Sequence, residues 1–186
     1  MENDLIRRAQ RGDQRAFQHV VEQNARLVWR TAAALLHDDA LAEDAAQEAW
    51  LDVWKAIHTF QIERPFRPWL LTVVANRCRM LARRPTVTTF SLNHTGFDLL
   101  TDFVDAQDVE AQTVQTEADA EIRARLLMLT PDQRTILELH FFADLALTEI
   151  ALVIDTPLGT VKSRLHRALQ VLRTHMHAST SLEVQR

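Results

Sequence analysis

Thr160, Lys162, Ser163, Arg164 and Arg167 gather hydroxyls and cations on one short stretch of chain. Such groups hydrogen-bond phosphate oxygens, and Lys and Arg also reach the O6 and N7 acceptors of guanine. From Thr156 to His177 there is no Asp or Glu to compete for them. Arg64, Arg67, Arg77, Arg79, Arg83 and Arg84 form a second basic run with no acid between its ends. With Phe60, Gln61 and Asn76 nearby, it combines cations with polar and aromatic side chains. A third group, Asp44, Gln47, Glu48 and Leu51, recurs at spacings of three, four and seven, which puts it on one helical face. By composition alone that face reads most simply as solvated acid.

The elements that must carry these residues follow from period and punctuation. Ile150, Ala151 and Ile154 lie at helical spacing, and Asp155-Thr156-Pro157 stops the helix, because Pro157 has no amide donor and disfavours helical backbone at Thr156. A second helix starts near Leu158, with Val161, Leu165, Leu169 and Leu172 predicted as its buried stripe. Two helices joined by a tight turn, the second basic, make a helix-turn-helix suited to the major groove. Many such hairpins are only packing units, and spacing leaves both readings open.

The predicted helices upstream cover residues 3 to 36, broken at Gly12-Asp13 with Asp13 as cap, and residues 39 to 58, capped by Asp38 or Asp39. Trp50 and Trp54 belong to the apolar side of the second. A loop over 59 to 67 precedes a helix from Phe66 to about Arg84, where Trp69 falls on the apolar stripe and reads as core rather than as a stacking platform. Residues 85 to 115 lack periodicity and read as a linker. Helix resumes at Thr116, Thr130-Pro131-Asp132 caps another, and Ile136, Leu137, Leu139, Phe141 and Phe142 are expected to pack beneath the hairpin. The expected fold is all-α: two small helical domains, 3–84 and 116–176, with a polar tail at 177–186.

Composition agrees. Three glycines, no tyrosine and 47% hydrophobic residues in 186 favour helix over sheet. The net charge of −4 weighs against a free-standing nucleic-acid binder until it is mapped. Asp98, Asp102, Asp105, Asp108, Glu110, Glu117, Asp119 and Glu121 concentrate the acid in a stretch without a base, leaving two basic patches beside an acidic tether. A lone Cys78 gives neither a disulfide framework nor a zinc signature and suits a reducing cytoplasm. His175 and His177 are too few and too terminal to suggest a metal, and no cofactor motif is visible. No apolar run or leader marks a membrane span or signal peptide.

Glu149-Ile150-Ala151 followed by Pro157-x-Gly159-Thr160-Val161-Lys162-Ser163-Arg164-Leu165-x-Arg167-Ala168 resembles region 4 of bacterial RNA polymerase sigma factors, specifically the extracytoplasmic-function class. Ala42-Glu43-Asp44-x-x-Gln47-Glu48 resembles region 2.2, and Phe66-Arg67-Pro68-Trp69-Leu70 with Asn76-Arg77 resembles regions 2.3 and 2.4. The resemblance implies a transcription initiation factor without enzymatic activity that binds core polymerase through the clamp of its largest subunit and the flap of its second-largest. It implies Asp44, Gln47, Glu48 and Leu51 at the clamp. It implies Phe60, Gln61, Arg64, Arg67, Asn76, Arg77, Arg79, Arg83 and Arg84 at the minus-ten promoter element. Thr148, Pro157, Gly159, Thr160, Lys162, Ser163, Arg164 and Arg167 would meet the minus-thirty-five element, and an anti-sigma factor is an expected partner. The chain departs from the family at Asp144 and Asp155, where glycine is usual, and at Cys78-Arg79-Met80, where an acid is usual. Asp tolerates left-handed backbone better than most residues, so both turns remain feasible. A stand-alone helix-turn-helix regulator and a sigma-like decoy that sequesters a regulator are the rival readings.

Overall fold

The computed structural model describes residues 2–83, 126 and 128–183, with side chains described as far as 174. All regular structure among them is helical. The linker expected at 85–115, the helix expected from Thr116 to residue 125, and Arg84 lie outside the described residues.

The first module contains α1 (Glu2–Gln10), α2 (Gln14–Leu36), α3 (Asp39–Ala56), a short 3-10 turn and α4 (Phe66–Ala82). Its breaks have local causes. Gly12 takes φ 88°, a backbone that excludes most side chains, and Asp13 Oδ1 then accepts the Ala16 amide at 3.0 Å to start α2. Asp38 caps α3 through the Leu41 amide. Pro65 stands immediately ahead of α4, where its fixed φ suits extended backbone. Ala42, Ala45, Ala46 and Ala49 line the buried side of α3, and such small residues let α2 and α4 approach closely. Val20, Val28, Val53, Leu70 and Val74 fill the remaining space, each worth roughly 1.5–3 kcal/mol of burial. Trp50 and Trp54 are half-buried, and both rings rest against Phe17.

The second module contains α5 (Pro131–Phe141), α6 (Leu147–Val153) and α7 (Leu158–Glu183). Thr130 and Gln133 form a reciprocal capping box ahead of α5, with Pro131 in its first turn as expected. Asp144 and Asp155 occupy left-handed backbone at φ 54° and 52°, so both turns form without glycine. Ile136, Leu139, Leu145, Ile150, Val153, Val161 and Leu165 bury the hairpin. Two core expectations need correction. Leu169 is 39% exposed, and Ala168 is buried in its place, because Val161, Leu165, Ala168 and Leu172 hold the true helical stripe. Phe141 is 56% exposed, since the last turn of α5 rotates it outward while Leu139 points in.

The modules pack on each other, α4 against α6 and α2 against α5. Ala34, Leu71 and Ala75 of the first belong to the same buried cluster as Ile136, Ile150 and Val153 of the second.

Candidate polymerase and nucleic-acid interfaces

The turn at Asp155 orients the hairpin. The Thr156 amide donates to Ala151 O at 3.0 Å, closing α6, and α7 then leaves with Gly159, Lys162, Ser163 and Arg167 exposed and Thr160 half-exposed. Ser163 Oγ donates back to Thr160 O at 3.0 Å, which fixes that hydroxyl on the outer face. Lys162 and Arg167 make no ion pair among the described residues. Arg164 is different, because its Nη1 meets Asp132 Oδ2 at 2.8 Å. A Cβ at Gly159 would meet nothing within 4 Å, and the residue lacks positive φ, so the fold itself does not demand glycine there. Thr148 and Pro157 are exposed at the start of α6 and in the turn.

On α3, Asp44, Gln47 and Leu51 are exposed together, Leu51 by 59%. Glu48 is half-exposed and has a partner: Arg77 Nη1 of α4 reaches its Oε2 at 2.9 Å. Arg77 also donates through Nε and Nη2 to Asp52 Oδ2, the former at 2.9 Å. The Asp52 hydrogen bond, above the other causes, raises the Arg77 pKa beyond its ordinary value. With both carboxylates bound, Arg77 is an internal tie between α3 and α4.

The basic face of α4 is therefore smaller than the arginine count suggests. Arg67 Nε donates to Glu149 Oε1 at 2.7 Å and its Nη2 to Asp144 O at 2.8 Å. Arg79 Nη2 donates to Val153 O at 2.7 Å and its Nη1 to Asn76 Oδ1 at 2.7 Å. Arg64, Gln61 and Arg83 are exposed. Phe60 is not a free aromatic; it is 5% exposed, held under Phe66 and Trp69 with ring centroids at 5.5 and 5.1 Å. Trp69 in turn does more than fill the core. It lines an open cavity of about 490 Å³ with Gln61, Arg64, Pro68, Thr72 and Leu152.

Residues 20–86 match Sigma-70 region 2 and residues 119–172 match Sigma-70, region 4. The ECF RNA polymerase sigma factor RpoE of Cereibacter sphaeroides is 31% identical over 73% of this chain and 72% of its own. The chain belongs to the extracytoplasmic-function class of sigma factors.

The RNA polymerase sigma-H factor of Pseudomonas aeruginosa is 29% identical over 92% of this sigma factor and 91% of its own length. Among solved structures, CnrH in complex with the cytosolic domain of CnrY covers 95% of this chain and 97% of its own, at TM-score 0.63 and 22% identity, which shows a shared fold. As a sigma factor, the protein binds core RNA polymerase and directs it to promoters. None of the described helices is long and apolar enough to cross a membrane.

Three acidic partners escaped the sequence reading: Asp132, which holds Arg164, and Asp52 and Glu149. Asp52 stands four residues after Glu48, a spacing visible in advance as one helical face, but nothing local says that an arginine of another helix covers it. Glu149 looks like a helix-start residue, and its Oε2 does accept the Ala146 amide at 2.9 Å; its pairing with Arg67 is purely tertiary. Cys78 is buried as expected, and burial pushes its thiol up to about 12.

Proposed function

We propose that Asp44, Gln47 and Leu51 dock on the clamp of core polymerase, and that the outer face of α7 reads the minus-thirty-five element. Thr160, Lys162, Ser163 and Arg167 supply its hydroxyls and cations, with Gly159 admitting the DNA backbone. The α4 side, with Gln61, Arg64, Asn76 and the Trp69-lined cavity, takes the minus-ten strand, where Arg67, Arg79 and Arg83 hold phosphates. Arg77 is withdrawn from that set as a tie between helices. Phe60 acts through the cavity wall, not as a free stacking ring. The observation that carries the reading is the exposed α7 face, where Lys162 and Arg167 stand unpaired among the described residues beside an acid-free stretch of chain.

The protein performs no covalent chemistry of its own in this reading; polymerase supplies it. One solved relative of similar fold, RpoE of Bartonella quintana, is described in complex with the anti-sigma factor NepR. A regulator of that class is proposed here as well, acting in the cytoplasm where polymerase works.

In vitro transcription with core polymerase on a random promoter library tests the proposal. Two spaced elements should be enriched. Asp44→Arg with Gln47→Ala should abolish co-migration with core polymerase while leaving the thermal melt unchanged. Retained co-migration would refute the clamp assignment.

A further inference from the structure

The turn that forms one wall of the Trp69-lined cavity is held from outside itself. Ile57–Thr59 is a single 3-10 turn, and Phe60 leaves it in extended backbone. Its own closing bond runs from the Phe60 amide to Ile57 O at 3.1 Å. So short a 3-10 segment has poor hydrogen-bond geometry and little stability of its own. Gln10, the last residue of α1, supplies what is missing. Its Nε2 donates to Ile57 O at 3.0 Å and to Phe60 O at 2.8 Å. One amide nitrogen thus spends both hydrogens on the two ends of a turn 47 and 50 residues further along the chain.

Thr59, Phe60 and Gln61 line the cavity from this turn, and Pro68, Trp69 and Thr72 line it from α4. Phe60 is buried against Phe66 and Trp69, so the seating of the turn against α4 fixes the shape of the wall. It also fixes the direction in which exposed Gln61 leaves the backbone. Residues 60–65 form no helix or strand, and the turn within them, closed by the Arg64 amide on Gln61 O at 3.0 Å, is local. Nothing inside the loop ties it to the rest of the module as Gln10 does. The apolar packing of α1 is carried by Ile6 and Ala9, which leaves the half-buried Gln10 amide to the turn. A base entering a loose loop must first order it, whereas a loop already held costs less to occupy.

We propose that Gln10 is a positioning residue for capture of the minus-ten strand: it sets the cavity wall through Ile57 O and Phe60 O without touching DNA itself. This rests on the reading that the cavity takes a base of that strand. Removing the two donors leaves the α1 packing in place but frees the turn, so that base capture weakens while contacts to the strand's phosphates persist.

The test uses holoenzyme assembled on core polymerase. It is titrated with a single-stranded oligonucleotide carrying the minus-ten sequence enriched from the promoter library, and with copies in which each base in turn is an abasic site. Wild type should lose about tenfold in affinity when the captured base is missing. Gln10→Met, of similar length but without donors, should bind the intact strand about tenfold more weakly and no longer respond to that abasic site. Gln10→Lys restores N–H donors and should recover the response; the ratio of intact to abasic affinity is read because it cancels the added charge. Co-migration with core polymerase should be unchanged in both variants. Equal weakening of intact and abasic strands, or lost co-migration, would make Gln10 a purely structural residue and overturn the proposal. So would a Lys variant that behaves like the Met variant. A Gln10→Met holoenzyme with wild-type affinity and a full abasic response refutes the role of Gln10 while the cavity reading stands. Wild type that ignores abasic sites at every position overturns the proposal through the cavity reading instead.

Discussion

Arg77 grips Asp52 with two guanidinium nitrogens, Nε at 2.9 Å and Nη2 alongside, while its third nitrogen holds Glu48. The arrangement ties the middle of α4 to the helix bearing the proposed polymerase surface. Because the side chain is only 15% exposed, solvent screens these contacts poorly.

Arg77→Ala should therefore lower the stability of the free protein by about 1–3 kcal/mol, the usual worth of charge-assisted hydrogen bonds. Arg77→Lys should recover only part, since an ammonium cannot reproduce the fork. Urea melts without DNA check this; unchanged stability would return Arg77 to the list of DNA contacts.

Gly159→Ala separates structure from function. With open space at the Cβ, the helix should gain up to about 1 kcal/mol from the better helix former. Transcription from promoters that depend on the minus-thirty-five element should nonetheless fall several-fold, because the new methyl occupies the side where DNA backbone would approach. Thermal melts and run-off transcription on the same sample read both effects.

Lys162→Ala and Arg167→Ala should each ease the log-log salt dependence of holoenzyme binding by roughly 0.9 per phosphate contact removed. Neither should change the melt of the free chain, because neither side chain is ion-paired among the described residues. A salt slope identical to wild type would remove that residue from the phosphate-contacting face.

Asp13 makes the stability of the fold depend on pH. The Ala16 amide, and after it the Arg8 side chain, hold its carboxyl below the usual carboxylate range. A group lowered in the folded state stabilises fully above its unfolded pKa of about 3.9, and that contribution disappears as pH falls through the folded value. Asp13→Asn should thus melt earlier than wild type at neutral pH, with the gap narrowing in acid below pH ~4. A gap independent of pH would mean that the cap geometry matters and the charge does not.

Cys78 should be inert in the folded protein. Its thiol is raised by burial to about 12, so thiolate is scarce at pH 8 and access is blocked. Labelling by a thiol reagent should be slow in native buffer and fast in denaturant. Rapid native labelling would show that α4 opens locally.

The sequence by itself determined the described helices, the caps at Asp13, Asp38 and Thr130, and the outward placing of Asp44 and Gln47 on α3 and of Lys162, Ser163 and Arg167 on α7. Those features depend on neighbours three or four residues away: Asp13 on Ala16, Thr130 on Gln133, Val161 on Leu165. Even the two left-handed turns could be anticipated, because Asp144 and Asp155 carry the tolerance in their own side chains. What only the tertiary structure decided was which arginines remain free. Arg67, Arg77, Arg79 and Arg83 look alike in sequence, yet the first three find acceptors on other helices and the last stays exposed. Partners at separations of 25 to 82 residues leave no periodic trace in the chain. The inward turn of Phe60 was settled the same way, by the arrival of Phe66 and Trp69 of α4 over its ring. A long-range contact depends on how whole helices pack, and local spacing carries no record of that.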